Sequence, residues 1–229
     1  MIEDERWHGR VGYFLGALAL IHFSYPLSEL STEASAIYVV FYSMAIGMGA
    51  YLTTKDVGRR RVTAVMTVLT SVTGAIWAFT SNDAIVTTSL YIFYVIIIIN
   101  LGVVMKTMWE FIFAARTITQ DVLYAGVSFY LLIGNFFTPL YLFLNAIIVG
   151  ATGEPAFGVH TYEVAITWQR MYYLSFTTLT TLGYGDITPI NSFVEPFVLA
   201  EATIGVLYVA VLMARLVSLY EEPFLRREE

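Results

Sequence analysis

Six apolar runs dominate this chain and leave few options for its fold. They fall at roughly 11–27, 34–54, 62–80, 84–105, 122–150 and 193–220. A bilayer-crossing helix needs about 20 mostly apolar residues, and each run is near that length or longer. In hydrocarbon every backbone polar group needs an internal partner, so such a run must be helical. The rest of the composition agrees. Of the 229 residues 58% are hydrophobic and 13% charged, with mean hydropathy +0.70. Soluble domains carry about 25% charged residues. The expected fold is therefore an all-α membrane protein with six transmembrane helices. Pro139 in the fifth run offers a kink site. There is no cysteine, which excludes disulfides, thiol catalysis and cysteine metal sites. The opening "MIEDERWHGR" is mixed in charge and no cleavage pattern follows, so no removable signal peptide is expected.

The basic residues give an orientation. Arg6 and Arg10 precede the first run, and Lys55, Arg59, Arg60 and Arg61 lie between the second and third. Lys106 and Arg116 lie between the fourth and fifth, and Arg215, Arg226 and Arg227 close the sixth. With six alternating spans all of these fall on one side, and only Arg170 falls on the other. That side is expected to be cytoplasmic, with both termini inside the cell membrane. The opposite loops carry Glu29, Glu33, Asp83, Glu154 and Glu163.

Residues 151–192, between the fifth and sixth runs, therefore start and end outside. "GATGEPAFGVHTYE" reads as an extracellular loop. "ITWQRMYYLSFTTLT" reads as a helix too short to cross, which must dip in and return. Polar, glycine-rich backbone follows at once, in "TTLGYGDITP". At membrane depth such backbone is tolerated only when buried in protein or lining water.

The segment "TTLGYGD", 180–186, with an aromatic short helix before it and "ITP" after it, resembles the selectivity-filter signature of the potassium channel superfamily. The resemblance covers about 122–220 and is weaker over the first four runs. An ion entering a pore sheds water, and backbone carbonyls aimed at one axis replace it. Consecutive carbonyls aim alike when alternate residues take left-handed torsions, which Gly183 and Gly185 permit. The resemblance implies that the carbonyls of Thr181, Leu182, Gly183 and Tyr184, followed by Gly185, line the K+ sites, with the Thr181 hydroxyl as innermost ligand. Leu182 stands where valine is commoner. One copy of the motif per chain implies a homotetramer, since a ring of carbonyls needs about four copies.

Support for the filter departs from the family pattern. The aspartate after the filter, Asp186, usually bonds a tryptophan of the pore helix. The same spacing here lands on Tyr173, whose hydroxyl either serves that bond or simply packs. Thr177 stands where some relatives have a glutamate, and Thr178 and Thr180 complete the approach to the filter. The dipole of the pore helix, ending near Thr178, favours a cation in the cavity. In the sixth run Gly205 falls at the family's hinge position, and close helix packing is the alternative reading. Helical spacing makes Val206, Val209, Met213 and Val217 candidates for the cavity and inner gate. Glu201 is the odd residue, because a mid-span acid costs about 2.5–3.5 kcal/mol on insertion scales. It either forms a negative ring below the filter or, protonated or hydrogen-bonded, braces the pore helix through Thr177.

The layout expected is a four-helix bundle over 1–105, an interfacial linker helix over 106–121, a pore unit over 122–220 and a short cytoplasmic tail over 221–229. The linker either grips the inner helices or anchors at the headgroups. The fourth run, "AIVTTSLYIFYVIIIINLGVVM", has no Arg or Lys, so no charged voltage sensor is expected. The tail leaves no room in this chain for a nucleotide- or calcium-sensing domain, though a separate regulatory subunit is possible. His8, His22 and His160 are scattered and none is read as a metal ligand. Nothing points to an enzyme, an organic cofactor or nucleic acid. The leading reading is a potassium-selective channel, with a non-selective cation channel as the alternative. A secondary transporter would carry two re-entrant segments in inverted repeats, and only one is present.

Overall fold

The computed structural model describes residues 10–53, 56–79, 83–160 and 166–225. Arg6, His8, Lys55, Glu163, Arg226 and Arg227, used above for orientation or weighed as ligands, lie outside the described residues. The elements run α1 (Arg10–Ser24), a 3-10 turn (Tyr25–Glu29), α2 (Thr32–Thr53), α3 (Val57–Phe79), α4 (Asp83–Ala114), α5 (Gln120–Thr152), β1 (Phe157–Val159), α6 (Trp168–Leu179), β2 (Ile187–Pro189) and α7 (Glu195–Leu225). Each apolar run thus lies largely in one helix, the first passing into the 3-10 turn, and the short helix between the last two is α6.

Four stretches are long and apolar enough to cross a membrane: Val11–Glu29, Thr87–Ala114, Gln120–Thr152 and Glu195–Leu219. Helix α2 has a shorter apolar stretch, Glu33–Gly49. Helix α3 is diluted by hydroxyls, most of which fold back on their own helix. Thr63, Thr70, Ser71 and Thr73 each donate to the carbonyl four residues earlier. Such back-bonding satisfies a hydroxyl where water is absent.

Helices α1 to α4 form one bundle, in which α2 packs on α1, α3 and α4. Both α1 and α4 also pack on α5 of the same chain. The stripe Ile97, Leu101, Val104, Met108 and Ile112 is buried at helical spacing along α4. This stripe explains a difference from the sequence reading. Residues 106–114 do not start a separate helix; they continue α4 for two more turns. Lys106 is exposed and marks one face of the helix, not its end. The connection to α5 shrinks to 115–119. Thr119 then caps α5, its hydroxyl accepting from Val122 N at 3.3 Å.

Helix α5 runs through Pro139 and ends on Gly153, which takes φ 77°. It packs on α6 and α7, and α6 packs on α7. The buried stripe of α7 is Glu201, Gly205, Tyr208 and Leu219. Val206, Val209, Met213 and Val217 are exposed.

Candidate functional site

Helix α6 is capped by Thr167, whose hydroxyl accepts from Arg170 N. Its carboxyl end holds the segment that follows. Thr180 N donates to Phe176 O at 3.1 Å, and Thr181 N to Thr178 O at 2.9 Å. Leu182 N and Gly183 N both donate to Thr177 O, at 2.8 and 3.1 Å. The amides of 180–183 are thus tied back to the last turn of α6. The carbonyls of 181–185 accept no hydrogen bond among the described residues.

Torsions alternate along this segment. Thr181 has φ 60°, Gly183 φ 49° and Gly185 φ 77°, while Leu182 and Tyr184 are not left-handed. The two glycines behave as their residue type suggests. Thr181 is the sole left-handed residue other than glycine among the described ones. For a β-branched side chain that conformation costs about 1–2 kcal/mol. Backbone strain of this kind persists only where the surroundings over-determine it, and it clusters at functional sites. Alternation of this sort turns successive carbonyls to the same side.

The outer end of the segment is clamped by a ribbon that the sequence reading left as a loop. β1 pairs antiparallel with β2, matching Phe157 to Pro189, Gly158 to Thr188 and Val159 to Ile187. His160 N donates to Asp186 O at 2.8 Å, and His160 Nε2 meets the Thr188 hydroxyl at 2.7 Å. Two strands of three residues are too short to show an alternating pattern. His160 bonds within the fold, and no cluster of His, Asp or Glu able to hold a metal occurs among the described residues.

The expected support residues separate on inspection. Tyr173 sets its hydroxyl beside the Asp186 carboxylate. Its ring also stacks on Tyr184, with centroids 6.3 Å apart and planes within 4°. Thr177 and Thr178 contribute carbonyls; the Thr177 hydroxyl donates to Leu174 O of its own helix. Thr180 likewise bonds back to Phe176 O. Leu182 is 57% and Tyr184 66% exposed, so this chain alone does not cover the segment.

Glu201 is fully buried. One carboxyl oxygen meets the Tyr141 hydroxyl from α5. The other meets the Ser175 hydroxyl from α6 at 2.5 Å. The partner on the short helix is therefore Ser175, not the Thr177 that the sequence suggested. Both lie on α6, two residues apart, but Thr177 spends its hydroxyl locally. Gly205 lies one turn further along α7, and a Cβ there would stand 2.4 Å from Leu179 O. That carbonyl, at the end of α6, also accepts from Tyr130 of α5 at 3.2 Å. Of the two readings of Gly205, close packing has direct geometric support. Sequence reasoning missed Ser175, Tyr141 and Tyr130. The available signal was Glu201 itself, because a buried acid needs donors and Ser175 is the lone serine on the aromatic short helix.

No curated protein and no solved structure matches the chain. Residues 117–222 match a family model described as an ion channel, and the match takes in α5, the ribbon, α6, the tied-back segment and most of α7. That match supports an ion channel family for this chain.

Proposed function

We propose that the chain is one subunit of a homotetrameric potassium channel, with 181–185 as its selectivity filter. One observation carries this reading: the amides of 180–183 are consumed behind the segment while the carbonyls of 181–185 have no partner. Unpaired carbonyls on alternating torsions are what dehydrated K+ requires. One chain supplies a single strand of ligands, and the exposure of Leu182, Tyr184 and the apolar side of α7 leaves room for further copies around an axis.

In this reading K+ crosses passively, losing water to the carbonyls of Thr181, Leu182, Gly183 and Tyr184. The Thr181 hydroxyl adds the innermost ligand. Val209 and Met213 line the inner cavity and gate. All six long helices span the cell membrane, with both termini cytoplasmic. The connection 115–119 reaches at most about 17 Å when extended, so each bundle stays on the pore unit of its own chain. Since α4 carries one basic residue, Lys106, and no repeated row of them, voltage dependence is weak. A steep activation curve with several charges per subunit would contradict that.

The test is the reversal potential of the reconstituted protein under opposed K+ and Na+ gradients. A shift toward the K+ equilibrium potential supports the reading. A reversal near zero would replace it with the non-selective cation channel.

A further inference from the structure

Glu201 is a buried acid, and the conduction path described above does not use it. It joins three helices of the region matched by the ion channel model. Tyr141 comes from α5, Ser175 from α6, and the acid from α7. The Ser175 oxygen also sits 2.8 Å from Gly134 O of α5. Three oxygen–oxygen contacts thus run in series: Tyr141 to Glu201, Glu201 to Ser175, and Ser175 to Gly134.

Each contact needs a proton between its oxygens. A hydroxyl supplies one, and a backbone carbonyl supplies none. Tyr141 and Ser175 together bring two. The Gly134 carbonyl can only accept, as it also does from Thr138 at 2.9 Å. If Ser175 donates to Gly134, the short contact between Ser175 and Glu201 has no proton unless the acid brings it. No Lys, Arg or His among the described residues bonds Glu201, so no cation offsets a charge there. A buried carboxylate without such an offset is costly enough that the group takes up a proton instead.

The geometry points to Glu201 as a protonated, neutral acid that donates to Ser175 and accepts from Tyr141, a positioning residue that sets the height of α6. The effect on the filter is short-range. Ser175 lies two residues before Thr177, whose carbonyl holds the amides of Leu182 and Gly183. A neutral latch also removes the negative ring considered from the sequence, since a protonated carboxyl carries no charge.

Infrared difference spectroscopy of the reconstituted protein at neutral pH tests this directly. The wild-type minus Glu201→Gln spectrum is expected to show loss of a protonated-carboxyl carbonyl band. Ser175→Ala removes the acceptor of that proton and is expected to shift the band to higher frequency. Glutamine reproduces the pattern, with its amide donating to Ser175 and its oxygen accepting from Tyr141. Glu201→Gln should therefore assemble and conduct within about twofold of wild type. Loss of ionised-carboxylate bands in the difference spectrum would overturn the assignment, as would a Gln variant that fails to assemble. The effect on conduction rests on the filter reading, but the infrared result does not. A non-selective pore with the protonated band would sink only the former.

Discussion

Replacing Gly205 by alanine is the sharpest single perturbation of the site. The new Cβ would stand 2.4 Å from Leu179 O, 3.0 Å from Leu179 Cδ1 and 3.3 Å from Leu179 C. Ordinary contact begins near 3.4 Å, so α7 and the end of α6 must part by about 1 Å. Two of those three atoms are backbone, and no rotamer change relieves them. Leu179 cannot retreat freely, because its carbonyl is held by Tyr130 and the strained Thr181 follows two residues on. Overpacking of this kind costs about 1–3 kcal/mol. Against it stands the ordinary gain of alanine over glycine in a helix, about 0.5–1 kcal/mol. The net expectation is a loss of up to about 2.5 kcal/mol per chain.

A hinge glycine would give the opposite sign. If Gly205 served only to bend, alanine would stiffen α7, raise stability by its helix propensity, and slow gating. Thermal dissociation of the assembly, followed by size-exclusion fluorescence, separates the two. The Leu179 clash calls for lower thermal stability in Gly205→Ala, and on the potassium channel reading also for reduced K+ over Na+ selectivity. A variant with unchanged or raised stability and normal selectivity would refute the close-packing argument.

Three further expectations follow. Tyr173→Phe keeps the stack on Tyr184 but removes the hydroxyl beside Asp186; currents should decay faster at low external K+, and unchanged decay would mean that the ring alone matters. Thr181→Gly removes a left-handed strain of about 1–2 kcal/mol along with the hydroxyl, so stability should rise while K+ affinity, read from Ba2+ block, falls. Arg215 donates to Phe113 O at 3.2 Å and Ala115 O at 2.7 Å, at the end of α4. Arg215→Met should cost about 1.5–3 kcal/mol by freeing those carbonyls, shifting open probability if α4 and α7 move together; equal open probability would show the contact to be passive.

Much of this molecule is legible in its sequence, but unevenly. Apolar runs specify helices because hydrocarbon permits little else, and each run lies largely within a helix, although the fourth extends nine residues past its expected end. Gly183 and Gly185 announce their torsions by residue type. Thr181 does not, since nothing local in a threonine favours positive φ; only the demands of the surrounding segment impose it. Lys106 suggested an end to the fourth helix that the buried stripe through Met108 and Ile112 overrides. The ribbon of β1 and β2 is invisible because three-residue strands carry no period. The Glu201 contacts were foreseeable in kind but not in partner. Which hydroxyl meets the acid depends on the rotation of α6 against α7, and that rotation is set by the space Gly205 vacates.

That dependence gives the site an internal logic. Helix α6 is too short to be stable alone, since isolated helices below about 12–15 residues are marginal. It is positioned from two sides. From α5 come Gly134 near Ser175 and Tyr130 at Leu179. From α7 come Glu201 and, one turn later, the bare backbone of Gly205. The contacts of α7 lie i and i+4, on one face, so sliding or rotating α7 disturbs both at once. Tyr208 continues that face and donates to Gly126 O of α5 at 2.8 Å, and Arg215 extends the line to α4. A displacement at the end of α4 therefore has a continuous bonded route to Leu179, two residues before the strained Thr181. No moving charge is needed for that route to carry a gating signal. In the channel proposed above, this gives the bundle of α1 to α4 a mechanical route to the filter, although Lys106 is the one basic residue of its fourth helix.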